Sequence, residues 1–425
     1  MKNTILNTLK REVKPAMGCT EPVAITLGVA RAKDLIGDSK INKVIVKLCP
    51  NVFKNGLAVG LPGTGKYGHK YAVAVGLAGL EWRKGLSLYE DICPEMVDVA
   101  DRIIEENLIE IEVKDTSDKI NIEVLISSDE DSSRVIIKDS HDKFILIEKN
   151  GETIYQDEPS KECSNEANQS IFNYKIKDLI ETIDSMEDKD LDFMYQGIEM
   201  NKKIAMEGID RELGMGIGTS IKNNIDKGIL SSDLITRAMM YTAGASDARM
   251  SGITMPVMSS NGSGNNGLTA ILPIYAYTTM VELERSKINK SVAISHIINS
   301  YIKNAIGKLS PICGCGVAAS TGSAVAIAWL MGADYSQIEG CINNMIGNTA
   351  GMICDGAKNG CAMKLSTSAA AAIQAVIVAM DGKSVSSIEG IVGASAEDTI
   401  SNLGKLATEG MAFADKVIID IMASK

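Results

Sequence analysis

Hydrophobic and polar residues alternate over much of residues 40 to 160. The alternating stretches are rich in Val and Ile, and they read KVIVKLC, IEIEVKD, INIEVLIS, SRVIIKD and KFILIEKNGETIY. Alternation with this composition is typical of β-strands that have one buried face. We therefore expect an antiparallel sheet here, in which RVIIKDSHDKFILIE forms a hairpin.

Beyond residue 170, the hydrophobic residues follow a helical spacing in stretches such as IKDLIETIDSM, AISHIINSYIKNAI and STGSAVAIAWLMGA. The polar segment QDEPSKECSNEANQS, residues 156–170, predicts a linker between the two regions. A chain of 425 residues is also longer than a single core usually supports. We predict an α+β protein with an N-terminal mixed α/β domain (1–165) that carries the sheet, and an all-helical catalytic domain (166–425).

Composition narrows the class of protein. The chain is 45% hydrophobic and carries a net charge of −11, which argues against general affinity for nucleic acid or anionic membranes. Charges interrupt the N-terminal stretch where a signal peptide needs an apolar run, and SAAAAIQAVIVAM is too short to span a bilayer. We expect a cytoplasmic homo-oligomer that acts on a small molecule, with no nucleic-acid or membrane partner.

Cysteines are the first candidate for chemistry. The chain has nine, and an odd number in a large cytosolic protein favours free, metal-binding or catalytic thiols over a disulfide framework. Cys313, Cys315, Cys354 and Cys361 lie in glycine-rich breaks, whereas Cys341 has a helix-like position typical of the core. Four thiolates would suit zinc, three would suit an iron–sulfur cluster with one open iron, and buried thiols are common in cores. Spacing alone leaves these alternatives open.

A glycine-rich segment, GLPGTGKY (60–67), resembles a phosphate-binding loop, but Tyr67 replaces the Ser or Thr that magnesium requires. Nucleotide hydrolysis is therefore not expected. Lys66 and His69 lie beside these glycines, and the stretch begins a helical run. This arrangement suits close approach to a small anion, although an ordinary glycine-rich turn has the same composition.

Arg249 precedes a second loop rich in glycine, serine and asparagine, which includes Asn261, Ser263, Asn265 and Asn266. Backbone amides in such a loop can form an anion-binding nest, and an arginine suits a carboxylate. The loop therefore predicts a substrate-binding site. The alternative is an arginine paired with a nearby acid beside an ordinary helix connection.

The segments GCTEPVAI, NGLAVGLPGTGKYGH, SDARMSG, NGSGNNG, CGCGVAASTGS and GMICDGAKNGCAMKLST together resemble the L-cysteine desulfidase family, relatives of the iron–sulfur L-serine dehydratase alpha chain. The similarity runs from about residue 10 to the C-terminus. The resemblance implies a 4Fe-4S cluster held by three cysteines and no pyridoxal phosphate. It also implies conversion of L-cysteine and water to pyruvate, ammonia and hydrogen sulfide.

The resemblance also assigns the cluster ligands. Cys354 and Cys361 match the paired ligands of the family's CDGAKxxC motif. The third ligand falls in CGCG, where Cys315 is preferred because GCGVAAS is similar to a dehydratase stretch, and Cys313 is the alternative.

The proposed acid/base cysteine of the family lies in GCTEP and corresponds to Cys19. Thr20–Pro22 is typical of a helix start, which we expect to lower the pKa of the thiol. Without the resemblance, a buried structural cysteine would be the better interpretation. His69 and Lys66 are the next candidate bases, although GKYGH has a tyrosine that the similar dehydratase segment lacks.

Three other functions compete with L-cysteine cleavage. L-Serine dehydration, or elimination from another β-substituted amino acid, needs the same site because a hydroxyl also binds iron. A pyridoxal phosphate enzyme would do the elimination through a Schiff-base lysine such as Lys358 or Lys364. A cluster- or zinc-binding redox sensor is the non-enzymatic alternative, but the chain has no recognisable basic or DNA-reading segment.

Overall fold

A computed structural model describes residues 1–116, 118–157, 170–307 and 310–424. Most of the predicted linker, the predicted domain boundary after residue 165, and Cys163 lie outside these ranges. The division into two domains therefore stays a prediction.

Helices dominate the described chain, and the sheet is confined to its N-terminal region. The helices are α1 Lys2–Glu12, α2 Thr20–Ile36, α3 Pro50–Gly56, α4 Gly68–Leu77, α5 Pro94–Glu105, α6 Ile176–Asp184, α7 Asp188–Leu191, α8 Tyr195–Asp210, α9 Ile217–Asp226, α10 Leu234–Met250, α11 Gly264–Thr278, α12 Arg285–Ile306, α13 Ser320–Leu330, α14 Tyr335–Thr349, α15 Cys361–Met380, α16 Ala396–Lys405 and α17 Ala414–Ala423. The α+β prediction is confirmed.

The main sheet contains the alternating stretches that the sequence predicts as strands. Its strands are β2 Ile41–Leu48, β3 Ile109–Val113, β4 Asn121–Ser128, β5 Ser132–Lys138, β6 Phe144–Lys149 and β7 Glu152–Gln156, in the order β3-β2-β4-β5-β6-β7. The predicted hairpin is β5–β6, with Val135 opposite Ile147. One expectation is wrong, because β2 and β3 pair in parallel. The connection between them contains α3, α4 and α5, which is long enough for the crossover that parallel strands need.

One face of this sheet packs against α2. Val44, Val46 and Leu48 alternate along β2, are fully buried, and join one hydrophobic cluster with α2 residues such as Ile25. Ile419 of α17 belongs to this cluster. The C-terminal helix therefore packs against the N-terminal region of the protein.

A second, larger hydrophobic cluster joins α6, α11, α12, α13, α14, α15 and α16. Helix α13 is apolar nearly all round, and its residues from Ser320 to Ala328 are buried, as expected for a helix at the centre of a core. Gly322 allows a close approach to α12, because a Cβ there would lie 2.3 Å from the Ser295 carbonyl oxygen. Ile5 and Leu9 of α1 also belong to this cluster, so the first helix of the chain packs with the helical region.

A short strand pair connects the two regions. β1 Pro15–Met17 runs antiparallel to β8 Pro256–Met258. The prediction that the C-terminal region is wholly helical is therefore wrong. The Gly60 amide also donates to the Met250 carbonyl at 3.0 Å. These links place the start of α2 beside the end of α10 and the start of α11.

Helix α15 is longer than the apolar segment SAAAAIQAVIVAM, which by itself is too short to span a bilayer. It is 20 residues long and, within the described ranges, is the one helix apolar and long enough to cross a membrane. The segment SAAAAIQAVIVAM is only part of it. Because 56% of its most apolar window is buried inside the protein, α15 has the surroundings of a core helix.

Candidate active site

A cavity of about 380 Å³ lies where the start of α2 meets the helical region. Its walls include all of the cysteines singled out as ligands or base and all of the polar loop residues. These residues are Cys19, Arg249, Asn261, Ser263, Asn265, Asn266, Cys313, Cys315, Cys354 and Cys361. The structure therefore brings together segments that are separated by hundreds of residues in sequence.

Two glycine-rich breaks run side by side and form the thiol wall, which we define as Cys313, Cys315, Cys354 and Cys361. The Cys313 amide donates to the Met352 carbonyl at 2.8 Å, and the Cys354 amide donates to the Pro311 carbonyl at 2.7 Å. Helix α15 then begins at Cys361. Backbone pairing thus holds the thiols of both breaks against the same cavity.

Glycines permit the close packing of this wall. Gly356 has φ +88°, and a Cβ there would lie 2.0 Å from the Lys54 carbonyl oxygen. A Cβ on Gly316 would lie 2.2 Å from the Met352 sulfur. Gly316 belongs to a π-helical turn, Cys315–Ala319, a departure from α-helix that often occurs at functional sites.

The thiols of the wall influence one another. Burial raises the pKa of Cys361 to about 12, and the charges of Cys313 and Cys354 add to this rise. Burial also raises the pKa of Cys354, with a further contribution from Cys313. A hydrogen bond with Cys315, together with burial, raises the pKa of Cys313 well above its usual range. Cys313 is therefore the thiol that acts on each of the others, whereas Cys315 also lies 3.9 Å from the Ser263 hydroxyl oxygen.

Lysines from three helices surround the thiol wall, and sequence reasoning did not single them out as a group. Lys54, Lys303 and Lys364 all line the cavity. The Lys54 ammonium is 3% exposed and lies 2.6 Å from Asp415 Oδ1 of α17. Lys364 contacts the Asp355 carboxylate. These positive charges oppose the effect of burial on the thiols, and no sequence spacing relates their positions.

Asp355 lies between the paired cysteines and forms two ion pairs. Burial raises the pKa of its carboxyl group, but hydrogen bonds and charges from Lys358 and Lys364 outweigh burial and lower the pKa to about 2. Lys358 and Lys364, the two lysines that the sequence suggests as examples of a Schiff-base residue, therefore both form ion pairs with the Asp355 carboxylate.

Arg249 presents a buried guanidinium group to the cavity. It is 7% exposed, and its Nη2 donates to the Gly18 carbonyl at 2.8 Å while Nη1 donates to Asn265 Oδ1 at 3.3 Å. Gly264 makes room for the guanidinium, because a Cβ there would lie 2.2 Å from Arg249 Nε. The alternative pairing with Asp247 does not occur, since that carboxylate accepts the backbone amides of Met215, which precedes α9, and Gly218, in its first turn. In the described part of the chain, Arg249 has no carboxylate partner.

The loop before α11 provides further polar groups. Ser263 caps α11, and its hydroxyl accepts from the Asn266 amide at 3.4 Å. Asn261, at φ 50°, donates through Nδ2 to the hydroxyls of Ser260 and Ser300, each at 3.1 Å. The buried Oδ1 of Asn266 has no hydrogen-bond partner among the residues described. The loop is therefore held in place, with hydrogen-bonding capacity left for a ligand.

Cys19 lies at the N-terminus of α2, as predicted, but its surroundings change the expected chemistry. The residue is 3% exposed and packs in a small apolar cluster that Cys361 contacts. Burial raises the pKa of the thiol and the Glu21 charge adds to this, whereas the charge and hydrogen bond of Arg249 lower it. The expectation of a lowered pKa is therefore wrong, because burial outweighs the charge and hydrogen bond of Arg249.

His69 and Lys66 do not line the cavity. The His69 ring packs against Phe53 with centroids 4.9 Å apart, and burial lowers its pKa to about 4. The Lys66 ammonium lies 2.7 Å from an Asp101 oxygen. The catalytic role of both side chains stays a prediction.

Other polar residues of the cavity that the sequence did not identify as site residues include Thr20, Glu21 and His141. His141 lies in the turn between β5 and β6, and its Nε2 is 3.5 Å from Thr20 Oγ1. The predicted hairpin identifies this turn but not its tertiary neighbour. Glu21 belongs to the GCTEP segment, in which the sequence identifies Cys19 as the candidate catalytic residue.

The donor atoms of the thiol wall fit an iron–sulfur cluster, because such a cluster takes thiolate ligands. Within the described ranges, no group of three His, Cys, Asp or Glu side chains is positioned to hold one metal ion. The ligands of a four-iron cluster bind different iron atoms, so their sulfurs lie farther apart than those around one ion. Thiols on two adjacent breaks of one cavity wall suit that wider arrangement.

Comparison with known proteins finds one matching family and relatives that are similar over nearly the whole chain. The family profile described as serine dehydratase alpha chain matches residues 83–420. A UPF0597 protein of Alkaliphilus oremlandii is 50% identical over 99% of this chain and 98% of its own length. UPF0597 proteins of Alkaliphilus metalliredigens and Clostridioides difficile are 49% and 45% identical, over 99% and 98% of this chain and 95% and 98% of their own lengths.

Proposed function

Because this chain belongs to the serine dehydratase alpha chain family, we propose that it is a lyase that cleaves L-cysteine to pyruvate, ammonia and hydrogen sulfide. One observation carries the proposal: the thiol wall, Arg249, the loop before α11 and Cys19 all line the same cavity. A cavity of this size suits a small amino acid.

We propose that Cys354, Cys361 and Cys313 hold a 4Fe-4S cluster. Cys313 is preferred over Cys315 because its sulfur accepts a hydrogen bond from the Gly316 amide at 3.4 Å, of the kind that stabilises a cluster thiolate, whereas the Cys315 sulfur lies 3.9 Å from the Ser263 hydroxyl oxygen. When bound, such a cluster supplies an iron with an open coordination position, which acts as a Lewis acid toward the leaving group. The surrounding lysines favour the negative charge that three thiolates bring.

Arg249 holds the substrate carboxylate in this proposal. Its guanidinium is buried, has no carboxylate partner in the described chain, and retains donor hydrogens beyond those that bond to Gly18 and Asn265. A hydrogen bond between charged groups is stronger than one between neutral groups, and burial increases its strength further. The side chains of Ser263 and Asn266 complete the polar wall around it.

Cys19 accepts the Cα proton. It follows Gly18, whose carbonyl receives the Arg249 hydrogen bond, so the thiol lies beside the group that binds the carboxylate. Arg249 also stabilises the thiolate form of Cys19. As the proton moves to Cys19, the Cβ–S bond breaks and sulfide leaves, giving aminoacrylate, which tautomerises to an imine and is hydrolysed by water to pyruvate and ammonia.

L-Serine dehydration is the second candidate function, and the serine dehydratase match favours it. The same residues would bind the carboxylate and accept the Cα proton, and only the leaving group would differ. The two functions are therefore separated by the substrate and not by the site.

The test is anaerobic purification followed by iron and sulfide analysis and a pyruvate assay with L-cysteine and L-serine. We expect about four irons and four sulfides per chain, the composition of one such cluster, and faster pyruvate release from L-cysteine. Faster release from L-serine would select the second candidate. Activity in a preparation that lacks iron, or that contains pyridoxal phosphate, would contradict both.

A further inference from the structure

Glu21 is the unpaired carboxylate of the cavity. Within the described ranges its one hydrogen bond is a long contact from Thr20 Oγ1 at 3.4 Å, and it forms no ion pair. The other carboxylates on the wall are engaged: Asp355 contacts Lys364, and Asp139 lies 3.4 Å from the Lys143 ammonium. Glu21 is therefore the carboxylate of the cavity wall that is available to a positively charged group of a ligand.

The position of Glu21 relates it to the proposed carboxylate site. Arg249 donates to the Gly18 carbonyl at 2.8 Å, and Glu21, two residues after Cys19, lines the same cavity and acts electrostatically on the same thiol as Arg249. The cation, the thiol and the carboxylate therefore lie along one short stretch of the cavity wall. An α-amino acid carries its carboxylate, its Cα proton and its ammonium group on one carbon.

We propose that Glu21 binds the α-ammonium group of the substrate, so that Arg249, Cys19 and Glu21 recognise the three groups around Cα. This inference rests on the proposed function and specifies its substrate class, the L-α-amino acids. A 2-hydroxy acid would satisfy Arg249 but would leave Glu21 unpaired. The Thr20 hydroxyl, within 3.5 Å of both Glu21 and His141, orients this part of the wall.

The test compares two unreactive ligands that differ in the group at issue. L-Alanine carries the ammonium group, L-lactate carries a hydroxyl in its place, and neither has a β leaving group. Their binding is measured calorimetrically on anaerobically purified wild-type protein and on Glu21→Gln, which keeps the shape of the side chain and removes its charge. Asp139→Asn is the matched control, because Asp139 also lines the cavity but pairs with Lys143.

We expect Glu21→Gln to weaken L-alanine binding by about 10- to 100-fold, the loss typical of one hydrogen bond to a charged group, and to leave L-lactate binding within about twofold. Asp139→Asn should change neither. Equal weakening of both ligands by Glu21→Gln, with its melting temperature unchanged, would overturn the ammonium site and leave the proposed lyase activity standing.

The opposite result is also distinguishable. Wild-type protein that binds L-alanine through Glu21 but releases no pyruvate from L-cysteine or L-serine would support the ammonium site and contradict the proposed function. Wild-type protein that binds L-lactate and not L-alanine would overturn the ammonium site directly.

Discussion

Cys341 and Cys361 have thiols of nearly the same acidity in very different surroundings. Burial raises the pKa of each to about 12. Burial is the only cause at Cys341, which lies in the helical core, whereas Cys361 also senses two other thiols and Lys358 and faces the cavity. A raised pKa therefore does not distinguish a thiol of the helical core from a thiol of the cavity wall, but the neighbours of the thiol do.

The largest effect is expected from removing one thiol of each kind. Cys361→Ala or Cys354→Ala removes a proposed cluster ligand and should abolish both iron content and pyruvate release. Cys341→Ala should keep iron and activity, and should cost about 1 kcal/mol of unfolding free energy because one buried heavy atom is lost. The measurements are iron per chain, activity and urea unfolding.

Either of two results would contradict this comparison. A full complement of iron in Cys361→Ala would remove that thiol from the ligand set. Loss of iron in Cys341→Ala, with the fold retained, would mean that the core cysteine is not merely structural.

The comparison is sharpened within the CGCG segment, where one residue, Gly314, separates the two candidate ligands. We expect Cys313→Ala to lose its iron, because the Cys313 sulfur already accepts a hydrogen bond from the Gly316 amide as a cluster thiolate would, and Cys315→Ala to retain most of it. Anaerobic iron and sulfide analysis of the two variants decides between them. Iron loss in Cys315→Ala alone would restore the assignment that the sequence favoured.

Cys19 is a buried thiol whose role is separable from that of the ligands. Cys19→Ser should retain the cluster and lose about 10²- to 10⁴-fold in turnover, the usual contribution of one positioned acid or base. Iron content, melting temperature and turnover are measured on the same preparation. Normal turnover in a variant with full iron would exclude Cys19 as the base, and lost iron would make it a ligand.

The sequence predicts much of the fold because its signals are local. Alternating hydrophobic residues identify the strands, and glycine-rich breaks identify the segments that carry Cys313 and Cys354. The parallel pairing of β2 with β3 depends on a crossover of many residues, which no local pattern encodes.

The same limit applies to the cavity. Motifs identify Arg249 and Cys19 as candidates, but the pairing of β1 with β8 is what brings the start of α2 beside α11. Glu21, Lys54 and His141 reach the cavity through tertiary packing and were not identified. The predicted direction of the Cys19 pKa shift is wrong for a similar reason, because the burial that raises this pKa is a property of the folded protein.

The last expected effect is on stability alone and concerns His69 and His296, which, like Cys341, are buried without a charged neighbour. Burial lowers the pKa of His69 to about 4 and that of His296 to about 3, from an ordinary value of 6.5. Between these values and 6.5 the unfolded chain binds more protons than the folded protein, so stability should rise with pH. The favourable contribution is complete above about pH 6.5 and is lost as pH falls toward 4.

Each of the two buried histidines should therefore lower the free energy of unfolding by about 2 kcal/mol when the pH falls from 7 to 5. Anaerobic urea titrations at the two pH values measure the loss, and His69→Gln should remove roughly half of the part due to histidine. The comparison uses the difference between pH values within each protein, so any constant cost of the substitution cancels. An unchanged pH dependence in His69→Gln would mean that folding does not lower the pKa of His69, which would return it to consideration as an acid or base.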